Sequence, residues 1–201
     1  MLTDWISQVT AMSVWEALAV VLAIAYLVLA AKEQILCWLC ALLSTAIYIA
    51  LFWNVSLLME SVLNVYYLLM AAYGWQQWSR GDLGSAAQIH TWSGRRHLSV
   101  IGAVLICSGI CGYLLSQNTS AAWPYVDSFT TFGAVVTTWM VTRKVLENWL
   151  YWLVVDAISI PLYLDRGLLL TAGLFAVYLV IVVFGYFSWR QRYTGSGFAA
   201  A

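Results

Sequence analysis

The chain has 201 residues, of which 63% are hydrophobic and only 9% charged, and its formal net charge is zero. No soluble domain of this size hides so much apolar surface, so the composition excludes a soluble enzyme or binding module and points to membrane-spanning helices. The total charge says little; where the charges lie says more.

Seven apolar runs of spanning length follow one another, at about 12–31, 35–53, 57–77, 98–115, 125–141, 145–164 and 168–188. Ahead of the first run there is no basic segment and no small-residue cleavage site, so no signal peptide is read. The second opens on Cys37-x-x-Cys40. In a soluble protein that spacing could serve redox chemistry; inside a membrane helix the two read as small packing residues, as do Cys107 and Cys111 in the fourth run. The polar stretch 78–97 holds Arg80, Asp82, His90, Arg95, Arg96 and His97 and reads as a solvated loop. A second polar stretch, 116–124, ends at Pro124 just before the fifth run. The tail from Gly195 to Ala201 reads as disordered.

Eight of the nine Lys and Arg fall on one side: Lys32, Arg80, Arg95, Arg96, Arg143, Lys144, Arg190 and Arg192, with Arg166 alone on the other. This asymmetry places the N-terminus outside and the C-terminus in the cytoplasm, and it supports an odd number of spans. Because topology accounts for the basic residues, nucleic acid is not implied.

An internal repeat organises the chain. A shift of 111 residues lays Trp38 on Trp149, Leu39 on Leu150, Tyr67 on Tyr178, Gly74 on Gly185 and Trp78 on Trp189, without a gap. Leucine matches are cheap in such a sequence; the Trp, Tyr and Gly matches are not. The expected fold class is therefore an all-α integral membrane protein with two parallel three-helix bundles joined by a linker helix. The first bundle covers residues 12–79, the loop and linker helix 80–116, and the second bundle 123–192. In such a layout the ligand site lies between the repeats near the middle of the bilayer.

The sixth run carries the densest chemistry, Glu147-Asn-Trp-Leu-Tyr-Trp-Leu-Val-Val-Asp156. Helical spacing puts Trp149, Trp152, Asp156, Ser159 and Tyr163 on one stripe, with Asn148 one turn from Trp152. An acid deep in an apolar span costs roughly 2.5–3.5 kcal/mol on insertion, so it faces a partner helix or a water-filled cavity. Either it glues helices together, or it joins two indoles in holding a flat cationic or hydroxylated ligand. On the third run Glu60, Asn64, Tyr67, Ala71 and Gly74 share a face. Counted at ~1.5 Å per residue, Asn64 lies at the depth of Asp156. Thr45 and Tyr48 on the second run and Tyr178 on the seventh complete the candidate lining. Glu60 is near enough to the outer boundary to reach water instead, and threonines can bond their own helix. Trp75, Trp78 and Trp189 read as interface anchors. Gly74 and Gly185 read as points of close helix approach. Pro161 is either a hinge or a matter of shape. No phosphate-binding loop, zinc-peptidase motif, nucleophile elbow or metal-spaced His/Cys cluster occurs, so neither ATP hydrolysis by this chain nor a catalytic pair is indicated.

Tyr73-Gly74-Trp75-x-x-Trp78, Asn148-Trp149-x-x-Trp152-x-x-x-Asp156 and Gly185-Tyr-Phe-x-Trp189 together resemble the PnuC family of nicotinamide riboside transporters, from about residue 12 to 192. The layout is also similar to that of the SWEET sugar transporters. The resemblance implies facilitated diffusion of a vitamin-like nucleoside, trapped by a cytoplasmic kinase, through a homotrimer with one path per protomer and no cofactor. It implies that Trp149 and Trp152 hold the nicotinamide ring and that Asn64 bonds the substrate. Thiamine, or another flat vitamin or nucleoside, is the alternative substrate. A membrane enzyme or sensor is the alternative class.

Overall fold

The computed structural model describes residues 14–54, 58–79, 88–119, 123–165 and 169–198. Among them are seven α-helices: α1 (Val14–Ala31), α2 (Leu36–Asn54), α3 (Leu58–Ser79), α4 (Gly94–Asn118), α5 (Pro124–Thr142), α6 (Asn148–Asp165) and α7 (Leu169–Phe198). Each matches one of the expected apolar runs. No strand occurs among the described residues; the one β-bridge pairs His90 with Val145. Two boundaries differ from expectation. Helix α4 begins at Gly94, inside the stretch read as loop, and α7 runs on to Phe198 into the tail read as disordered. Neither segment contains a proline to stop a helix that is already nucleated.

The distribution of side chains is the reverse of a soluble protein's. Leu18, Leu39, Leu69, Ile106, Val154, Val180 and Phe184 are exposed, whereas Ser44, Asn64, Thr137, Asn148, Asp156 and Ser159 are buried. Lipid is the solvent that tolerates this arrangement, because acyl chains wet the apolar surface and the polar groups must find partners inside. By length and composition, Val14–Ala31, Gly94–Asn118 and Leu169–Gly195 qualify as membrane spans unaided. Leu36–Leu51 of α2 is a shorter apolar helix.

Helix α1 packs on α2 and α2 on α3; α5 packs on α6 and α6 on α7. Between these two trios, α1 meets α7 and α3 meets α5. Exchanging the trios converts one of those contacts into the other, as a two-fold axis between them would. Helix α4 lies outside, against α5, and only Val104, Ser108 and Gly112 on it are buried. At Gly112 a Cβ would come within 2.6 Å of the Tyr125 ring, so glycine sets how closely α4 approaches α5.

The same helix ending closes the first helix of each trio. Glu33 (φ 55°) and Lys144 (φ 53°) adopt the left-handed conformation. The next residues turn back alike: the Gln34 amide donates to the Leu29 carbonyl at 2.9 Å, and the Val145 amide to the Met140 carbonyl at 3.0 Å. This is the Schellman ending, in which the last carbonyls of a helix find donors.

Candidate substrate site

The contacts made by the repeated residues are themselves repeated. Gly74 sits against Trp38 so closely that a Cβ would lie 2.5 Å from the indole; Gly185 sits on Trp149 with a corresponding distance of 2.6 Å. Trp38 meets Trp78 edge-on, with centroids 5.3 Å apart at 87°, and Trp149 meets Trp189 at 5.4 Å and 87°. Trp78 and Trp189 then touch each other at 6.1 Å. Four indoles thus run in the order Trp38, Trp78, Trp189, Trp149 through the middle of the molecule. Ala30, Ala31, Ala71, Val141, Leu146 and Val182 pack into the same cluster, which joins both trios.

This corrects one reading. Trp78 and Trp189 are not interface anchors; they are 6% and 0% exposed, whereas Trp75, at 41%, faces outward. Trp149 is 1% exposed and engaged by Gly185 and Trp189. Its pseudo-equivalent Trp38 is engaged in the same way. Gly74 and Gly185 do permit close approach, and what approaches is an indole face.

Beyond this cluster, farther along α6 from the lysine- and arginine-bearing turns, lies a polar layer. Asp156 is 2% exposed and forms no ion pair among the described residues. Tyr48 of α2, Asp156 and Tyr163 of α6 lie within electrostatic reach of the Tyr178 hydroxyl of α7. Tyr67 of α3 and Tyr178 in turn lie within reach of the Tyr26 hydroxyl of α1. Phe175 packs between Tyr163 (5.0 Å) and Tyr178 (5.5 Å). Helices from both trios therefore deliver one carboxylate and a set of phenols to a single layer. Tyr26 escaped the sequence reading because α1 otherwise has little but apolar residues.

The remaining candidates divide. The stripe on α6 faces inward: Asn148, Trp149, Asp156 and Ser159 are buried, and Trp152 is half-buried against the indole cluster. The indole N–H groups of Trp149 and Trp152 and the Oδ1 of Asn148 have no hydrogen-bond partner among the described residues. The Asn148 Nδ2 donates to the Val145 carbonyl at 2.7 Å. Asn64 is buried, at 8% exposure, and Tyr67 half-buried on the same helix. The Thr45 hydroxyl donates to its own helix, to the Ala41 carbonyl at 2.8 Å. The Glu60 side chain lies outside the described residues. Pro161 is exposed and α6 continues past it to Asp165.

A second polar cluster was not foreseen. His97, read as a loop residue, lies in the first turn of α4. Its Nδ1 shares a 2.9 Å hydrogen bond with the Tyr151 hydroxyl, and its Nε2 is 3.8 Å from a Glu147 oxygen. The Leu146 amide donates to the His90 carbonyl at 2.9 Å. Arg96 stacks over Trp92 at 4.3 Å. These contacts fasten the start of α4 to the turn before α6. All four cysteines are free.

Seven membrane helices enclosing a polar layer shared by two helix trios are the attributes of a membrane transporter. Comparison with known proteins gives the family. The sequence pattern of the nicotinamide mononucleotide transporter family matches residues 13–191, and the chain belongs to that family. It is 28% identical over 131 residues to the riboflavin/roseoflavin transporter RibM of Streptomyces davaonensis, covering 62% of this chain and 61% of that protein. The chain thus spans about three-fifths of that relative's length. It is 21% identical over 165 residues to the nicotinamide riboside transporter PnuC of Escherichia coli, covering 69% of each. The crystal structure of the vitamin B3 transporter PnuC has the same fold, with a TM-score of 0.72 at 23% identity, over 94% of this chain and 86% of that one. The family and these relatives are transporters, not enzymes.

Proposed function

We propose that this chain imports nicotinamide riboside across a bacterial inner membrane by facilitated diffusion, with phosphorylation by a cytoplasmic kinase making uptake one-way. The observation that carries the choice of substrate is Asp156, a carboxylate 2% exposed and without an ion pair among the described residues. Burying an unpaired charge is unfavourable, and a cationic ligand offsets that cost. The pyridinium ring of nicotinamide riboside supplies a fixed positive charge. The isoalloxazine of riboflavin is neutral and does not.

In this reading the ring stacks on the half-buried Trp152, with a cation–π attraction of ~2 kcal/mol once desolvated. The unpartnered N–H of Trp152 and the Oδ1 of Asn148 are available to the amide and ribose. Asn64, Tyr48, Tyr67 and Tyr178 surround the ribose, and Trp149 supports Trp152 from the indole cluster. Residues 12–79 and 123–192 act as two bodies that rock about the site, with 80–116 as the connector. The basic face is cytoplasmic, the N-terminus is outside, and the protein works as a homotrimer. Riboflavin is the second reading, favoured by the similarity to RibM. Uptake by liposomes containing only this protein, with nicotinamide riboside, thiamine and riboflavin offered separately, tests the proposal. Uptake of nicotinamide riboside is expected; uptake of riboflavin alone would overturn the choice.

A further inference from the structure

We infer that Glu33 and Lys144 form a charge latch that holds the basic face of the transporter shut and must open in every transport cycle; this rests on the transporter reading above, though not on the substrate chosen there. The two residues are 111 positions apart, the offset of the internal repeat. They occupy the same place in the same helix ending, each in the left-handed conformation, with φ of 55° and 53°. Glycine is the usual occupant of that place, because side chains are disfavoured there. Both repeats nevertheless put a long charged side chain in it. The reason is visible in what those side chains reach: the Lys144 Nζ is 2.9 Å from the Glu33 Oε1.

Positions equivalent under a two-fold axis face each other when they lie near the axis. Had both repeats kept the same charged residue, like charges would meet. Instead one repeat carries the acid and the other the base. The pair is shielded, with side chains only 13% and 19% exposed, so water and salt screen it less than an exposed pair. Arg192 of α7 strengthens it, with Nη1 at 3.0 Å from the Glu33 Oε2 and 2.8 Å from the Lys32 carbonyl. Lys144 also lies 4.8 Å over the ring of Trp78, an indole at the centre of the four-tryptophan cluster. Each of these links joins one trio to the other. Separating the trios on this face therefore requires breaking the ion pair first and parting Trp78 from Trp189 next.

The experiment places Glu33→Cys and Lys144→Cys in protein in which Cys37, Cys40, Cys107 and Cys111 are replaced by Ala. Wild-type protein in liposomes first establishes which of nicotinamide riboside, thiamine and riboflavin is moved; that vitamin is used thereafter. Movement of none would defeat the transporter reading and the latch with it, while movement of riboflavin alone would defeat only the substrate choice. Bridging the two cysteines with a short reducible bis-thiosulfonate should cut uptake by roughly tenfold or more, and reductant should restore it. Undiminished uptake by bridged protein would overturn the latch. Should the cysteine pair fail to fold or transport, the buried Cys37 decides, as the sole remaining cysteine in otherwise native protein. Glu33→Gln and Lys144→Gln should each speed its alkylation about tenfold, and the double variant no further than either alone. Unchanged or fully additive rates would overturn the proposal.

Discussion

The two helix trios share a scaffold and differ in chemistry. In each, a glycine seats an indole and a second indole meets the first edge-on, at nearly the same distance and angle. Apart from Tyr67 and Tyr178, the candidate polar residues do not repeat. Asp156 stands where the first trio has Thr45, Asn148 where it has Cys37, and Ser159 where it has Tyr48. Even within the matched indoles one contact differs. The Trp189 Nε1 donates to the Ala30 carbonyl at 3.0 Å, whereas the Trp78 Nε1 has no partner among the described residues. Packing that must hold both trios in shape is kept twice over; the ligand recognition proposed above draws its carboxylate and its stacking indole from the second.

The largest effects should come from breaking the shared scaffold. Gly74→Ala and Gly185→Ala each drive a methyl to within 2.5–2.7 Å of a buried indole ring. Each should destabilise the protein by about 1–3 kcal/mol, read as a lowered Tm in detergent. Gly102→Ala and Gly109→Ala, which meet open space, should cost nothing. Unequal tolerance at Gly74 and Gly185 would show that the trios are not mechanically equivalent.

Next come substitutions that test the chemical difference. Asp156→Asn should weaken nicotinamide riboside binding by about 2 kcal/mol, roughly thirtyfold, as a charge-assisted contact is lost. Thr45→Val at the matching position, whose hydroxyl is already spent on Ala41, should change affinity less than about twofold. Isothermal titration of both variants measures the contrast. Trp152→Ala should cost about tenfold in affinity through lost stacking. Equal affinity in this variant would remove the indole from the site.

The smallest effect separates the two inner indoles. Trp189→Phe deletes a hydrogen bond as well as ring area, and Trp78→Phe deletes ring area alone. The first should cost about 1 kcal/mol more than the second in a denaturation comparison. Equal losses would mean that the Ala30 contact contributes nothing.

Much of this was legible in the residues. Seven helices follow from apolar runs of spanning length, and the inward direction of the α6 stripe follows from helical spacing of Trp149, Trp152 and Asp156. The indole cluster was not read, because a tryptophan at a helix end looks the same in sequence whether it anchors at a membrane surface or plugs a core. The signal was present nonetheless: Gly74 and Gly185 repeat at the same offset as Trp38 and Trp149, and a glycine repeated with an indole marks a seat for it. Tyr26 was missed because a lone phenol on an apolar helix carries no periodic signal. The His97–Tyr151–Glu147 cluster joins residues about 50 apart in sequence, a pairing that local pattern cannot supply. Lys144 was counted only among the basic residues of one face and Glu33 was not read at all, since their meeting depends on how the two trios are set against each other.

The most direct test of a buried carboxylate layer that accepts a flat cation is calorimetric titration of wild-type and Asp156→Asn protein with nicotinamide riboside and riboflavin. Binding of nicotinamide riboside by the wild type, lost by about thirtyfold in Asp156→Asn, is the expected result. Equal nicotinamide riboside affinity in both proteins, or riboflavin binding in the absence of any for nicotinamide riboside, would contradict it.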